Sequence, residues 1–265
     1  MNMLDSFRLD DKVAVITGAG KGIGAAIAMA FADAGADVVL TARTEADLDA
    51  VADEVEQRGR RALVVPGDVS DVAHVARVVE RAAEVFGRID ICVSNAGGAN
   101  SKPFVDTRVE HLEAAFHFNV SIAFELTRVA LPYLLRSGEG SVVTIGSMAG
   151  VYANAGSLAH SLSKAALGQL TRLMAAELSP RVRVNAVLPG AVETDALRRY
   201  VPEDVRAEMA ARTAMRRNGV PDDIAPAVLF LASPASSWIS GRLLEVDGLA
   251  KADLIQREMP HLSPE

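Results

Sequence analysis

Seven short apolar runs, most of them rich in Val, Leu and Ile, punctuate this chain of 265 residues, and longer stretches of helical composition separate them. The runs fall at residues 12–17 (KVAVIT), 38–41, 62–65, 89–94, 141–145, 183–187 and 243–246. A strand with almost no polar positions has to be buried on both faces, and helices between such strands supply the two covers. Helices are expected at residues 22–34, 45–57, 71–85, 109–118, 120–135, 162–178 and 221–231, with Thr44 as an N-cap and Gly35 and Gly59 as stops. No linker and no internal repeat interrupts the pattern. Residues 1–265 are therefore expected to form a single α/β domain, doubly wound on a mainly parallel seven-stranded sheet. In such folds ligands bind beyond the carboxyl ends of the strands, where the strand order reverses.

Composition narrows the classes of partner. Half of the residues are hydrophobic and 23% are charged, enough apolar content for a sizeable core. Lys and Arg number 27 against 34 Asp and Glu, and the net charge of -7 argues against a nucleic-acid partner. The single cysteine, Cys92, has no partner for an internal disulfide and is expected in the core of the fourth strand. The five histidines lack metal-ligand spacing, so no metal site is expected. Residues 1–11 carry Asp5, Arg8, Asp10 and Asp11 and no apolar h-region, so no signal peptide is expected there. The uncharged stretches 140–163 and 224–241 are broken by small polar residues or by Pro226 and Pro234. A cytoplasmic protein with no membrane contact is the expectation.

After the first run comes Thr17-Gly18-Ala19-Gly20-Lys21-Gly22-Ile23-Gly24. Glycines let the chain turn tightly and bring backbone N–H groups close to a phosphate, and the helix N-terminus that follows favours the anion. The spacing is GxxxGxG rather than GxGxxG.

With Asn95-Ala96-Gly97, Ser147, Lys164 and Pro189-Gly190 added in order, this turn resembles the short-chain dehydrogenase/reductase family over residues 9–248. The resemblance implies a Rossmann-like domain, a nicotinamide cofactor and hydride transfer between a secondary alcohol and a ketone. It implies that Gly18, Gly22, Ile23 and Gly24 hold the pyrophosphate, that Asp68 and Val69 meet the adenine, and that Asn95, Ala96 and Gly97 lie beside ribose and nicotinamide. Pro189, Gly190, Val192 and Thr194 would receive the carboxamide, and Lys164 would bind the nicotinamide ribose. Ser147 would orient the substrate oxygen, and Asn119, in a helix, would hold a water that links Lys164 to solvent.

Two departures from the family pattern carry information. At the end of the second strand an NAD site usually has a carboxylate for the ribose 2′-hydroxyl, whereas an Arg suits a 2′-phosphate. Here Ala42 holds the acid position, Arg43 follows, and Lys21 adds a cation in the glycine turn, which favours NADP(H) over NAD(H). The second departure lies four residues before Lys164, where the family's catalytic Tyr is replaced by His160. Spacing of one helical turn puts both side chains on one face. A neighbouring cation moves an imidazole below its usual value, away from the acid role. Three readings stand: His160 is the acid–base group, with oxidation less impaired than reduction; the chain binds cofactor with weak, lost or redirected turnover; or His160 is an introduced change or is replaced by Tyr152, the nearest phenol.

Residues 191–217 are charged, with six arginines, and by resemblance cap the substrate, most simply as a solvated lid. Met148 and Tyr152 are expected to line the substrate pocket, consistent with a steroid-like or oxoacyl compound. The final helix and strand resemble family subunit interfaces, so a homo-oligomer, tetramer or dimer, is expected, and residues 250–265 form a polar tail.

Overall fold

The computed structural model describes residues 2–100, 102–153 and 155–250. Seven strands, β1 (Val13–Thr17), β2 (Asp37–Thr41), β3 (Ala62–Val64), β4 (Ile91–Ser94), β5 (Gly140–Ile145), β6 (Val182–Pro189) and β7 (Leu243–Val246), form one sheet. Its order is β3-β2-β1-β4-β5-β6-β7, and every neighbouring pair is parallel. The chain winds outward from β1 to β3, returns to β4 beside β1, and then winds the other way. The crevice between β1 and β4 is the switch point, and the segments that leave these two strands flank it.

Helices cover both faces. These are α1 (Gly22–Asp33), α2 (Glu45–Gln57), α3 (Val72–Phe86), α4 (Val109–Phe116), α5 (Ile122–Arg136), α6 (Leu158–Leu178), α7 (Asp195–Tyr200), α8 (Glu203–Ala211) and α9 (Pro221–Ala232). Strand side chains alternate between faces. Ala14, Ile16, Val38 and Leu40 join one core with α1, α2 and α9. Val13, Val15, Val39 and Cys92 join a second core with α3, α5 and α6. Cys92 is fully buried, which pushes its thiol up to about 12.

The N-terminal ends of the strands are tied by buried carboxylates. Asp90, 1% exposed, accepts from Val13 N at 2.9 Å and from Arg88 Nε at 2.9 Å. Asp37 takes Arg61 N at 3.0 Å and pairs with Arg60 and Arg61 at 2.8 and 2.7 Å.

Three sequence expectations need adjustment. Helix α6 begins at Leu158 rather than at residue 162, so its first turn contains His160. Strand β4 starts at Ile91 rather than at 89, and β6 runs on to Pro189. Between α4 and α5 the chain winds as a π turn, His117–Ser121, with Ile122 N–H donating to His117 O five residues back. Among the described residues, no helix is long and apolar enough to cross a membrane.

Candidate active site

Gly18 and Gly22 have φ of +64° and +58°, the left-handed region where a side chain is strained. The glycine turn is braced from β4. Asn95 Nδ2 donates to Thr17 O at 2.9 Å and Gly18 O at 3.0 Å. Thr17 Oγ1 in turn accepts from the N–H groups of Asn95 and Ala96, each at 3.0 Å. A Cβ on Gly24 would run into the Gly18 carbonyl. Across the crevice, a Cβ on Gly22 would stand 3.1 Å from Thr194 Cγ2. The segments 18–24, 95–97 and 189–194 therefore meet at one place. Ile23 is part-buried against the α1 core, Val192 is buried and bridges to Gly219, and Gly190 lies flush on Asp247. The backbone cradle formed by these glycines fits a dinucleotide pyrophosphate.

The far side of the cradle holds Asp68, Val69, Arg43 and Lys21. Asp68 accepts from Ser70 N at 2.9 Å; that bond, then the charges of Arg43 and His74, hold its carboxyl below the usual range. Val69 is buried. Beneath them lies His74, its Nε2 2.9 Å from Thr41 Oγ1, packed so closely that any Cβ on Gly67 would collide with the ring. Burial, aided by Arg77, keeps the His74 pKa below its ordinary value. The two cations differ. Arg43 is exposed and makes no ion pair with the described residues. Lys21 Nζ lies 3.1 Å from Asp47 Oδ1. Asp47 was not singled out by the sequence; its only signal was a place in the first helical turn after the second strand.

The catalytic candidates gather where β4, β5 and α6 converge. Lys164 is buried, and its Nζ donates to Ile145 O at 2.7 Å. Burial alone lowers its pKa to about 8. A Cβ on Gly97 would stand 3.0 Å from Lys164 Nζ and 2.6 Å from Asn119 Oδ1, so the Asn95-Ala96-Gly97 segment touches both. Asn119 sits in the π turn rather than in a regular helix. Its amide donates to Ala115 O and Gly98 O and accepts from Gly98 N, at 2.8, 2.9 and 2.9 Å. The side chain braces the loop after β4. Ser147 Oγ accepts from Ala149 N at 3.1 Å and caps the short turn Met148–Gly150. That turn lies on α6: a Cβ at Gly150 would be 2.8 Å from the backbone of Lys164 and Ala165.

His160 is one helical turn before Lys164. Burial first, and the Lys164 charge second, push its pKa down to about 4. Its Nδ1 is buried with no hydrogen-bond partner among the described residues. An imidazolium needs acceptors for both N–H groups, and the missing one disfavours the charged ring further. His160 is a neutral imidazole at pH 7. Tyr152 packs beside Met148 and Leu243, and desolvation, then Asp247 and Glu245, raise its pKa. Met148 corrects an expectation. It is 4% exposed and packs with Ala186, Leu188, Tyr152 and Leu243, so it belongs to a small core rather than to an open pocket wall. Val151, 52% exposed, is the open apolar residue there.

The segment 191–217 folds into α7 and α8, and its arginines are largely engaged internally. Glu193 pairs with Arg198 and Arg206, and Arg217 pairs with Asp223. Glu193 also accepts from Asn218, at 2.8 Å. Residues 251–265 of the expected tail lie outside the described residues. Among the described residues no group of three or more His, Cys, Asp or Glu stands together as metal ligands.

Comparison with known proteins agrees with this geometry. The family model described as enoyl-(acyl carrier protein) reductase matches residues 18–248. An oxidoreductase of Mycobacterium tuberculosis is 49% identical over 93% of this chain and 94% of its own length. The 7alpha-hydroxysteroid dehydrogenase of Escherichia coli is 40% identical over 92% of this chain and 96% of its own. A crystallised 7 alpha-hydroxysteroid dehydrogenase complexed with NADH and 7-oxo glycochenodeoxycholic acid superposes with a TM-score of 0.91 at 39% identity, covering 96% of this chain and 100% of that one. The parallel sheet, the braced glycine turn and these relatives together make this chain a member of the short-chain dehydrogenase/reductase family of oxidoreductases.

Proposed function

We propose that this single domain transfers hydride between NADP(H) and a secondary alcohol/ketone pair, with neutral His160 as the proton acceptor when the alcohol is oxidised. The observation that carries the reading is the imidazole held one helical turn before a buried lysine whose Nζ lies against the Gly97 segment. The nicotinamide, when bound, supplies or accepts the hydride. Gly18, Gly22, Ile23, Gly24, Asn95, Ala96 and Gly97 would hold it on one side and Pro189, Gly190, Val192 and Thr194 on the other. Asp68 and Val69 would meet the adenine, and Arg43 and Lys21 a 2′-phosphate. Lys164 would hold the ribose, Ser147 would hold the substrate oxygen, and Asn119 would position the loop that Gly97 belongs to.

A neutral imidazole is a fair base and a poor acid, so alcohol oxidation is less impaired than ketone reduction, particularly at alkaline pH. Tyr152 and Val151 would form an apolar wall suited to a steroid-like or acyl substrate, beneath the lid of residues 191–217. Phe116, Phe124, Leu162 and Leu173 are each about half exposed, which supports a homo-oligomer, tetramer or dimer. The test is a panel of alcohols and ketones with wild type and His160→Tyr. Supporting outcomes are alcohol oxidation in wild type and a gain of ketone reduction in the variant of about 10²-fold or more. Loss of a native activity on introducing Tyr would give His160 a specific job, whereas a pH–rate profile with no ionisation below pH 8 would overturn its role as the base.

The unpartnered Nδ1 favours a second reading. A catalytic histidine is ordinarily oriented through its other nitrogen. Here that nitrogen finds no partner among the described residues, which suits a cofactor-binding homologue with weak, lost or redirected activity. Tight cofactor binding with no turnover across the panel would select this reading.

A further inference from the structure

The corner that would receive the adenosine ribose holds an acid as well as two cations. Gly20 of the glycine turn, Ala42 at the end of β2 and Asp47 in the first turn of α2 are in close contact: a Cβ on Gly20 would stand 3.1 Å from Asp47 Cβ and 3.6 Å from Ala42 Cβ. Ala19 N donates to Thr41 O at 3.2 Å, which fixes the turn against the strand end. Asp47 is 27% exposed at its side chain, whereas Lys21 is 59% exposed and reaches back to it. Arg43, just past Ala42, has no such counter-ion among the described residues.

We infer that Asp47 is the residue that sets the ratio of NADPH to NADH affinity, because it occupies Lys21 and presents a carboxylate to the same corner. The inference rests on the cofactor reading above and refines it. A 2′-phosphate entering this corner meets Arg43 with no contact ion pair to break, only the longer-range attraction of Asp68, but gains Lys21 only by displacing Asp47, and it approaches the Asp47 charge while doing so. A 2′-hydroxyl meets no such penalty. Lys21 and Arg43 are therefore unequal as phosphate ligands, although both are cations flanking one strand end. The partial exposure of the pair keeps the effect modest, because water screens it.

Equilibrium titration of the full chain with NADPH and with NADH tests this without turnover. Asp47→Asn is expected to tighten NADPH about 5–10-fold and to leave NADH within about twofold. Lys21→Met is expected to weaken NADPH less than about threefold alone, and more than that in the Asp47→Asn background, where Lys21 is free. Arg43→Met is expected to cost about tenfold for NADPH. NADH affinity reports correct folding in each variant. If Asp47→Asn does not fold, the contrast between Lys21→Met and Arg43→Met in the native background decides. Equal losses from those two variants overturn the inference, as does an equal shift of both cofactors in Asp47→Asn. A wild type that prefers NADH, with Asp47→Asn still tightening NADPH selectively, would sink the cofactor reading and leave the inference standing.

Discussion

Asp90 and Lys164 are both buried charged groups, at opposite ends of the same parallel sheet. Asp90 receives a backbone N–H from Val13 and a guanidinium from Arg88. Lys164 donates to one carbonyl, Ile145 O, and pairs with no carboxylate among the described residues. Beside it His160 leaves a ring nitrogen without a partner among those residues. At the N-terminal end, then, charge is matched and fastens strand to strand. At the carboxyl end charge is left uncompensated: burial moves Lys164 down to about 8, toward the range where protons exchange, and moves His160 down to about 4, which leaves its imidazole neutral. The same low dielectric makes a matched pair inert and an unmatched group reactive.

The strongest way to break this contrast is to exchange the ends' roles by mutation. Lys164→Met should lower turnover about 10²–10⁴-fold while thermal stability at pH 7 holds or rises, because the buried cation is removed. Loss of folding together with activity would make Lys164 a structural residue instead. Asp90→Ala should do the reverse. It leaves Val13 N–H and Arg88 without their acceptor, and urea unfolding should show a loss of about 2–4 kcal/mol with unchanged activity per folded molecule.

A pH series sharpens the contrast. Lys164 titrates at about 8 in the fold and near 10.5 when exposed. Between those values the unfolded chain binds the extra proton, so the destabilisation from this lysine is full below pH 8 and fades toward 10.5. Wild type should therefore gain stability relative to Lys164→Met across that window, measured by paired unfolding curves. A parallel pair of curves would contradict the buried, uncompensated lysine. The smallest effect belongs to the lid. Arg217 holds the Asp223 carboxyl down at about 2, chiefly through their hydrogen bonds, but the pair is exposed. Arg217→Ala should cost no more than about 1 kcal/mol, seen as a small shift in the unfolding midpoint.

The sheet was readable in the sequence because a parallel strand buried on both faces leaves almost no polar position to blur the run, as in KVAVIT. The glycine turn was readable for a related reason, since Gly18 and Gly22 occupy backbone angles that strain most other residues. The start of α6 was not. Ser157 makes no side-chain cap bond, and His160 and Ser161 are indifferent helix formers, so packing on the Met148–Gly150 turn and on α4 holds that first turn. Lys21 with Asp47, and Gly67 with His74, were illegible for another reason. Each pair joins different elements, and only the assembled sheet end brings them together.

The π turn at His117–Ser121 carries a consequence for how this chain tolerates changes in length. One residue more than an α turn requires is wound into the join between α4 and α5. Deleting one of the five would let the join rewind as an ordinary α turn and leave the two helices nearly in phase, because the wider turn had absorbed the surplus residue. The stripe of Ile122, Leu126, Ala130 and Leu134 would then stay in the core, and the contact at risk is the Asn119 amide on Gly98. The surplus residue therefore serves the loop after β4 rather than the fit of the helices.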